Sequence, residues 1–488
     1  MINLAISIED IIKKIDNIVW GIPLIALIII VGIVLTILLK GIQFRKLGLA
    51  FKFLTEKEDG EGEVSTFQAL CISLSATIGT GNITGVATAV AIGGPGALFW
   101  MIVTALLGMA TKYAEGYLAI RYRHIEDGRI IGGPYAYIEY GMGRKFKWLA
   151  KVFAMLGMLA AIMGIGTLIQ INGITDAAAN VFGKSSLDFT LFGKDISIYS
   201  VITGLIIAVL TALILIGGVK RIGRVCEYLV PIMAITYITI CLTVIFTHVT
   251  SIPSAFVEIV KMAFTGRAAV AGVIGITIRD AIKEGVSKGI FTNEAGLGSA
   301  PIAIATAKSN DATKQGLISM TSTFMGTFII CMMTGLCIVI TGAWDAGLEG
   351  IDITSFAFET GLPFTNPIIS AILVFICITC FAFTTIIGWN LYGSKCLDYL
   401  TTGNKKAYLV YQWIYVITLL LGPFLKVDVI WGIANIFNGL MAAPNLIALL
   451  VLAPKLSKET NQYFVEYKEK NKMVSEQLTI FTYLINKI

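Results

Sequence analysis

A polar, glycine-rich run, Gly79-Thr80-Gly81-Asn82, interrupts an apolar segment that extends from Thr66 to Ile92. Freed backbone at membrane depth is tolerated only where protein buries it or where it lines a watery cavity. A half-helix that begins there directs N–H groups at a ligand, which suits a carboxylate. The carbonyl groups just before the run suit a hard cation, which prefers oxygen ligands. The run therefore predicts a binding site for a zwitterion beside a cation.

Four further polar or aromatic positions within apolar segments could contribute to such a site. The adjacent hydroxyls of Thr384 and Thr385 could complete a sodium shell, or they could hydrogen-bond to the preceding helical turn. Trp389 lies four residues after Thr385, on the same helix face, and could form one wall of a small pocket or lie at the membrane interface. Gln170 could bind a substrate or join two helices.

A second interruption is predicted at Ala271 to Thr277, where Gly272 and Gly275 lie within the apolar segment 268–290. Paired glycine-interrupted helices in two inverted halves are a sequence signature of a transporter's binding site. The alternative is that the two glycines only allow close helix packing. Their matching positions in the two halves favour the functional interpretation.

Charged residues in the same segment predict an inner gate, because charges within the hydrocarbon layer face a cavity or one another. The four residues, paired on two helix faces at a spacing of four, are Arg279, Asp280, Lys283 and Glu284. Lys112 and Glu115 could belong to the same network.

The composition excludes a soluble protein. Hydrophobic residues make up 56% of the 488 residues, charged residues only 14%, and the mean hydropathy is +0.82, whereas an ordinary soluble protein is about 25% charged. The net charge of +6 follows membrane topology and does not predict nucleic-acid binding. The eight cysteines lie in or beside apolar segments, which favours packing over disulfides.

The predicted fold class is an all-α polytopic membrane protein with eleven transmembrane helices, counted as apolar stretches of roughly 20 residues. Their approximate bounds are 20–40, 66–92, 95–119, 148–180, 196–217, 226–248, 268–290, 315–341, 366–394, 406–425 and 428–452. One peripheral helix precedes a 5+5 inverted repeat, about 66–248 and 268–452, with two broken helices. We expect residues 1–19 to form an interfacial amphipathic helix. Residues 20–455 are expected to form the transmembrane transport domain, and residues 456–488 a cytoplasmic tail.

Lys and Arg placement predicts the orientation in the cell membrane. Most of the 37 basic residues fall on one side if the N-terminus is outside and the C-terminus is cytoplasmic. The loop with Asp345, Glu349, Asp352 and Glu359 then lies outside.

Other function classes lack the residues that they need. The two histidines, His124 and His248, belong to no metal or nucleophile constellation, so an enzyme is not expected. There is no phosphate-binding G-x-x-x-x-G-K-[ST] run, so ATP-driven pumping is not expected either. No cofactor and no protein partner are implied; the expected partners are a small amino acid, sodium and the lipid bilayer.

The chain resembles the alanine or glycine:cation symporters, a family known for sodium-coupled uptake of small amino acids. The resemblance covers roughly residues 20–455 and rests on three motifs: Gly79 to Ala87, Gly132-Gly133-Pro134 with Tyr137-Ile138, and the specific run from Lys288 to Pro301. The family is similar in fold to bacterial leucine transporters, which have a ten-helix inverted repeat with unwound first and sixth helices. On this alignment the Asn293 to Pro301 run follows the broken helix on the cytoplasmic side, with a gating or structural role.

The resemblance implies a role for each motif residue. The implied substrate-binding residues, of which Thr80 and Gly81 present amides to the carboxylate, are Thr80, Gly81, Gln170, Gly275, Ile276, Thr277, Thr385 and Trp389. The implied sodium ligands are the carbonyls of Ser75, Ile78 and Phe381 and the hydroxyls of Thr384 and Thr385. Asn82 aligns with a residue that binds a second sodium in some relatives of the fold.

The predicted function is secondary active symport that couples inward Na⁺ movement to uptake of alanine or glycine. Two alternatives stay open from the residues: a proton-coupled transporter that uses Glu115 or Asp280, and an uncoupled amino-acid receptor or channel in the membrane.

Overall fold

The computed structural model describes residues 8–56, 60–126, 128–191, 194–265, 276–363, 366–425 and 427–485. Within these ranges nine helices are long and apolar enough to cross a membrane, or ten if the bent pair in residues 66–93 is one span. A helical protein with many membrane-crossing segments is therefore confirmed. The count of eleven helices and the inverted repeat stay predictions.

The first half of the chain contains thirteen α-helices and two short hairpins among the described residues. The helices are α1 (Ile8–Val19), α2 (Ile22–Leu38), α3 (Ile42–Arg45), α4 (Leu47–Phe53), α5 (Thr66–Thr77), α6 (Thr84–Gly93), α7 (Gly96–Arg121), α8 (Pro134–Ala136), α9 (Lys147–Met163), α10 (Leu168–Phe182), α11 (Ile198–Leu215), α12 (Gly218–Thr247) and α13 (Ile252–Thr265). The antiparallel hairpins are β1 (His124–Glu126) with β2 (Arg129–Ile131), and β3 (Phe189–Leu191) with β4 (Lys194–Ile196).

The second half contains eight α-helices among the described residues. They are α14 (Ile278–Asn293), α15 (Ala300–Ile304), α16 (Ala312–Thr323), α17 (Met332–Ile340), α18 (Ile351–Gly361), α19 (Pro367–Thr401), α20 (Lys405–Leu421) and α21 (Val427–Ile485). A π-helical stretch, Phe324–Cys331, joins α16 to α17. Helix α21 continues well into the predicted cytoplasmic tail.

The predicted first interruption is present. Helix α5 begins at a capping box in which Ser65 and Gln68 exchange side-chain and backbone hydrogen bonds. It ends at Thr77, and a short 3₁₀ turn, Thr80–Asn82, leads into α6 at a bend of 62°. We call the two ends of this broken span the Thr66 end and the Gly93 end of the helix bundle. On the predicted orientation the Gly93 end is outside.

A second interrupted span lies in the second half of the chain. Helix α14 begins at the Gly93 end, where a Cβ on Gly93 would lie 3.1 Å from the Asp280 carbonyl oxygen. It runs beside α7 and ends at Asn293, near Gly108, in the middle of α7. After a buried turn over 294–299, α15 continues to the Thr66 end, where Arg123 donates to the Ala305 carbonyl oxygen at 3.0 Å. The broken span is therefore α14 and α15.

This geometry corrects one prediction, because the Asn293 to Pro301 run is buried in mid-bundle rather than exposed in a cytoplasmic loop. The predicted break at Ala271 to Thr277, with Gly272 and Gly275, falls mostly on residues outside the described ranges. The sequence did not indicate the break at 294–299, because its glycines and polar side chains resemble those of a surface loop.

The four charged residues of the predicted inner gate lie at the start of α14, and their role as a gate stays a prediction. Thr277 caps α14 by accepting from the Asp280 N–H, and the Asp280 carboxylate accepts from the Thr277 N–H and hydroxyl. Arg279 and Lys283 are exposed, and Lys283 lies 4.0 Å from Glu284. All four charged residues lie at the Gly93 end, which is outside on the predicted orientation. They have no contact with the Lys112 and Glu115 region, which lies farther along α7.

Helix α1 packs against α21, with Ile12 against Gly432 and Val19 against Gly439. The Trp20 indole donates to the Asn435 carbonyl oxygen at 2.8 Å. Ile11, Ile15 and Ile18 are exposed on its other side. The apolar residues of this amphipathic helix therefore divide between a protein contact and the surrounding medium.

Candidate functional site

The first break diverts two backbone N–H groups from their helical partners. In a continuous helix the Gly79 N–H would bond to the Ser75 carbonyl, and the Thr80 N–H to the Ala76 carbonyl. Here Gly79 donates to Asn82 Oδ1 at 3.1 Å, and Thr80 donates to Gln170 Oε1 at 3.1 Å. The carbonyl groups at the end of α5 are thereby freed for other partners.

The freed carbonyls meet the predicted hydroxyl pair of α19. The Thr385 hydroxyl lies 2.7 Å from the Ser75 carbonyl oxygen, 3.3 Å from that of Ile78 and 2.9 Å from that of Phe381. The Thr384 hydroxyl lies 2.9 Å from the Phe381 carbonyl oxygen. The structure thus brings all five predicted sodium-ligand residues together.

One hydroxyl proton cannot satisfy three carbonyl oxygens. A threonine hydroxyl carries a single donor, so at least two of the three carbonyls around Thr385 receive no proton from it. The Phe381 carbonyl also has its helical partner, the Thr385 N–H of α19, so the acceptors that are short of a donor are those of Ser75 and Ile78. Oxygen-rich clusters of this kind suit a hard cation. The cluster, which we call the oxygen cluster (Ser75, Ile78, Phe381, Thr384 and Thr385), is chemically suited to a small cation.

Asn82 has a structural role in this arrangement. Its side-chain oxygen accepts from the Gly79 N–H, and its Nδ2 donates to the Gly326 carbonyl at 3.3 Å. The Thr334 hydroxyl donates to the Asn82 carbonyl oxygen at 2.9 Å. Asn82 therefore holds the break against the π-helical stretch after α16. Its oxygen accepts one N–H bond here and keeps a second lone pair, and the predicted second sodium stays a prediction.

A cavity of about 790 Å³ extends from the break toward the Gly93 end. Thr80 lies on its wall, and the Thr80 hydroxyl is buried without a hydrogen-bond partner among the described residues. Gly173, on α10, packs against the Thr80 methyl group. The remaining wall comes from α6, α10, α14, α18 and α21, and includes Asn172, Asp176, Lys288 and Trp431. The cavity therefore reaches the first break at Thr80.

Gln170 and Gly81 lie at the break as predicted. Gln170 accepts from the Thr80 N–H and donates to the Ile165 carbonyl oxygen at 3.0 Å. Gly81 packs against Phe291 and Thr292 of α14, where a Cβ would lie 2.8 Å from the Phe291 ring. The two broken spans are therefore in direct contact at this glycine.

Three other predicted substrate residues lie away from the cavity. Trp389 is fully buried, and its indole nitrogen lies 3.3 Å from the Ala76 carbonyl oxygen and 3.1 Å from Glu294 Oε1. It joins the two breaks instead of forming a pocket wall. Ile276 packs near Gly94, and Thr277 caps α14, so both lie at the Gly93 end. Gly275 lies outside the described residues.

The second break is held by polar residues that the sequence did not place there: Glu115 was expected in the gate network, and Asn445 was not singled out. Glu115 Oε1 accepts from the Gly296 and Gly298 N–H groups, each at 3.1 Å, and from Asn445 Nδ2 at 2.7 Å. Asn445 also donates to the Gly296 carbonyl at 2.9 Å. The signal was the Gly-x-Gly spacing, since both glycines have positive φ, 88° and 79°, as a tight turn requires.

Comparison with known proteins identifies the family of this chain. A profile described as the sodium:alanine symporter family matches residues 5–477. The chain belongs to the sodium:alanine symporter family. It is 40% identical to the sodium/alanine symporter AgcS of Methanococcus maripaludis, over 93% of this chain and 97% of that protein. It is 46% identical to an uncharacterized transporter of Haemophilus influenzae, over 95% and 97%.

A solved structure supports the fold of this family member. The crystal structure of MhsT in complex with L-phenylalanine has a TM-score of 0.51 and 15% identity, and the match covers 83% of this chain and 99% of that chain. At this identity the likeness concerns the fold alone. The symporter family and the relatives are transporters, so the chain is a multi-pass membrane transporter and not an enzyme.

We expect Thr385→Val to weaken cation binding to this symporter-family protein. The change replaces one of the oxygen ligands with a methyl group, so bound Na⁺ loses a coordinating oxygen. The Na⁺ concentration that gives half of the Na⁺-dependent rise in melting temperature should increase roughly tenfold. Thr401→Val, on the same helix, is the matched control, because the Thr401 hydroxyl only donates to the Leu397 carbonyl. An unchanged Na⁺ dependence in Thr385→Val would contradict the assignment of the oxygen cluster.

Proposed function

We propose that this protein is a secondary active symporter that couples inward Na⁺ movement to uptake of alanine or glycine. The observation that carries the proposal is the oxygen cluster around Thr385, where three carbonyl oxygens surround one hydroxyl. The cluster lies one helical turn before the backbone amides of Thr80 and Gly81. A cation site and a carboxylate site therefore share one break.

The two sides of the break suit the two transported species, Na⁺ and the amino acid. Na⁺ bound among Ser75, Ile78 and Thr385 would hold α5 against α19, because the ligands come from both helices. A substrate carboxylate would replace Gln170 Oε1 at the Thr80 N–H, assisted by the free Thr80 hydroxyl. Charge-assisted hydrogen bonds are about twice as strong as neutral ones, which favours the exchange.

The sodium gradient supplies the driving force in this proposal. With the N-terminus outside, the cavity that reaches Thr80 opens to the outside, and the inner half-helices α5 and α15 close the other side. Inward movement of one Na⁺ gains about 2.3 kcal/mol per 100 mV of membrane potential, in addition to the concentration term. The fold supports alternating access by rocking of the broken helices around the fixed site.

Uptake into proteoliposomes tests the coupling. Labelled alanine should accumulate against its gradient when Na⁺ is high outside, and not when Na⁺ is equal on both sides. An imposed pH gradient in Na⁺-free buffer should give no accumulation, which separates sodium from proton coupling. Counterflow of labelled alanine should occur. A receptor that binds alanine without transporting it would show no counterflow. Accumulation that is independent of the Na⁺ gradient would refute the proposal, and competition by unlabelled amino acids would rank the substrates.

We expect Gln170→Glu to weaken substrate binding selectively. The introduced carboxylate would accept from the Thr80 N–H more strongly than the amide does and would repel the substrate carboxylate. The KM for alanine should rise roughly tenfold or more, which corresponds to about 1.4 kcal/mol or more. Gln462→Glu, on the exposed end of α21, is the control for the charge change. An unaltered KM in Gln170→Glu would exclude the Thr80 amide as the carboxylate site.

A further inference from the structure

Three ionisable side chains are fully buried beside the second break. Lys112 and Glu115 lie one turn apart on α7, and Glu294 follows directly after α14. None of them belongs to the oxygen cluster, and none lines the large cavity. Ionisable residues at membrane depth are costly unless they are paired, and they commonly serve a function. We call this set the buried triad.

Glu115 is the carboxylate of the triad that is stabilised as an anion. Its Oε1 accepts two backbone N–H groups, from Gly296 and Gly298, and the Asn445 side-chain amide. A carboxylate that accepts two or three such bonds strongly favours the charged form. The charge of Glu115 is also what anchors the backbone of the break.

Glu294 is less well stabilised as an anion. Its carboxylate accepts from the Ser299 hydroxyl at 2.6 Å and from the Trp389 indole at 3.1 Å, and the indole is shared with the Ala76 carbonyl. The titratable groups that face it are Lys112 and Glu115 from α7 and Tyr392 from α19. The Lys112 ammonium has no hydrogen-bond partner among the described residues.

The charges of the triad do not balance if both carboxylates are ionised. One ammonium then faces two carboxylates in a water-excluded site, and an uncompensated buried charge is strongly unfavourable. A proton on one carboxylate restores neutrality. Because Glu115 has three donors and Glu294 has only a hydroxyl and a shared indole, the proton belongs on Glu294.

We propose that Glu294 is a proton-binding site whose occupancy opposes sodium binding at the first break. The two sites are joined by a short path, since the Trp389 indole contacts both Glu294 and the Ala76 carbonyl, and Ala76 follows the cation ligand Ser75. A cation at Ser75 attracts the ionised form of Glu294, so Na⁺ binding releases the proton. By reciprocity, the proton weakens Na⁺ binding by the same factor.

Because Glu294 lies at a hinge, its affinity for the proton would change when the half-helices move during transport. Glu294 has a left-handed backbone conformation, φ 53°, at the hinge between α14 and α15. A swing of α15 would change the distance from Glu294 to Lys112. The inference rests on the sodium site of the proposed function but does not depend on the identity of the amino acid.

The test measures Na⁺ binding to the purified full-length protein between pH 5.5 and 8.5, without amino acid. The Na⁺ concentration for half of the Na⁺-dependent rise in melting temperature should increase roughly tenfold from pH 8.5 to pH 5.5 in the wild type. Glu294→Gln, which mimics the protonated form, should show the weak low-pH value at every pH. Glu284→Gln, on the same helix at the Gly93 end, should keep the wild-type pH dependence.

The charge balance makes a second test possible. Glu294→Gln leaves Lys112 and Glu115 as a neutral pair and should keep the melting temperature in Na⁺-free buffer, whereas Lys112→Met leaves two carboxylates and should lower it. If Glu294→Gln does not fold, wild-type protein in weak buffer with a pH-indicator dye still tests the idea, because added Na⁺ should release protons.

Wild-type pH dependence retained in Glu294→Gln would overturn the proposal, as would the absence of proton release from the wild type. A loss of alanine transport with proton release intact would refute only the proposed substrate. A complete lack of Na⁺ stabilisation at all pH values would refute the sodium site, and this proposal with it.

Discussion

Two backbone N–H groups, those of Gly79 and Thr80, leave their helical partners and take side-chain acceptors instead. In a hydrocarbon environment every backbone polar group needs an internal partner, so this exchange is possible only because Asn82 and Gln170 supply oxygens at 3.1 Å. The carbonyls that are released then converge on Thr385. The oxygen cluster, the amides at the cavity and the 62° bend all follow from this one exchange of hydrogen-bond partners.

At the second break, different groups satisfy the backbone N–H groups that leave the helix. The Gly296 and Gly298 N–H groups donate to the Glu115 carboxylate. The chain turns there because both glycines have positive φ. Gly81 packs on Phe291 and Thr292, and Trp389 bridges Ala76 and Glu294, so movement of one break displaces the other. This contact gives a physical route by which a cation at one broken helix influences the half-helix α15 of the other.

The first break and the hydroxyl pair were predictable because their signal is local. Polar residues and glycines inside a long apolar segment have few explanations at membrane depth, and Thr384 and Thr385 are adjacent in sequence. The second break was not predictable in this way. Its stabilising partners, Glu115 and Asn445, are far away in the chain, so its own residues look like a loop. For the same reason Ile276 and Thr277 were expected at the break but lie at the Gly93 end. The carbonyls of Ser75, Ile78 and Phe381 do meet Thr385, and their role as sodium ligands stays a prediction.

The central claim is that sodium and the amino acid bind at one break and therefore move together. The most direct measurement is the voltage at which net flux stops in proteoliposomes with opposed alanine and sodium gradients. The account predicts that labelled Na⁺ and labelled alanine reach zero net flux at the same voltage, and that this voltage shifts when either gradient is changed. An alanine flux that stops only when the alanine gradient itself is zero, whatever the sodium gradient, would contradict it.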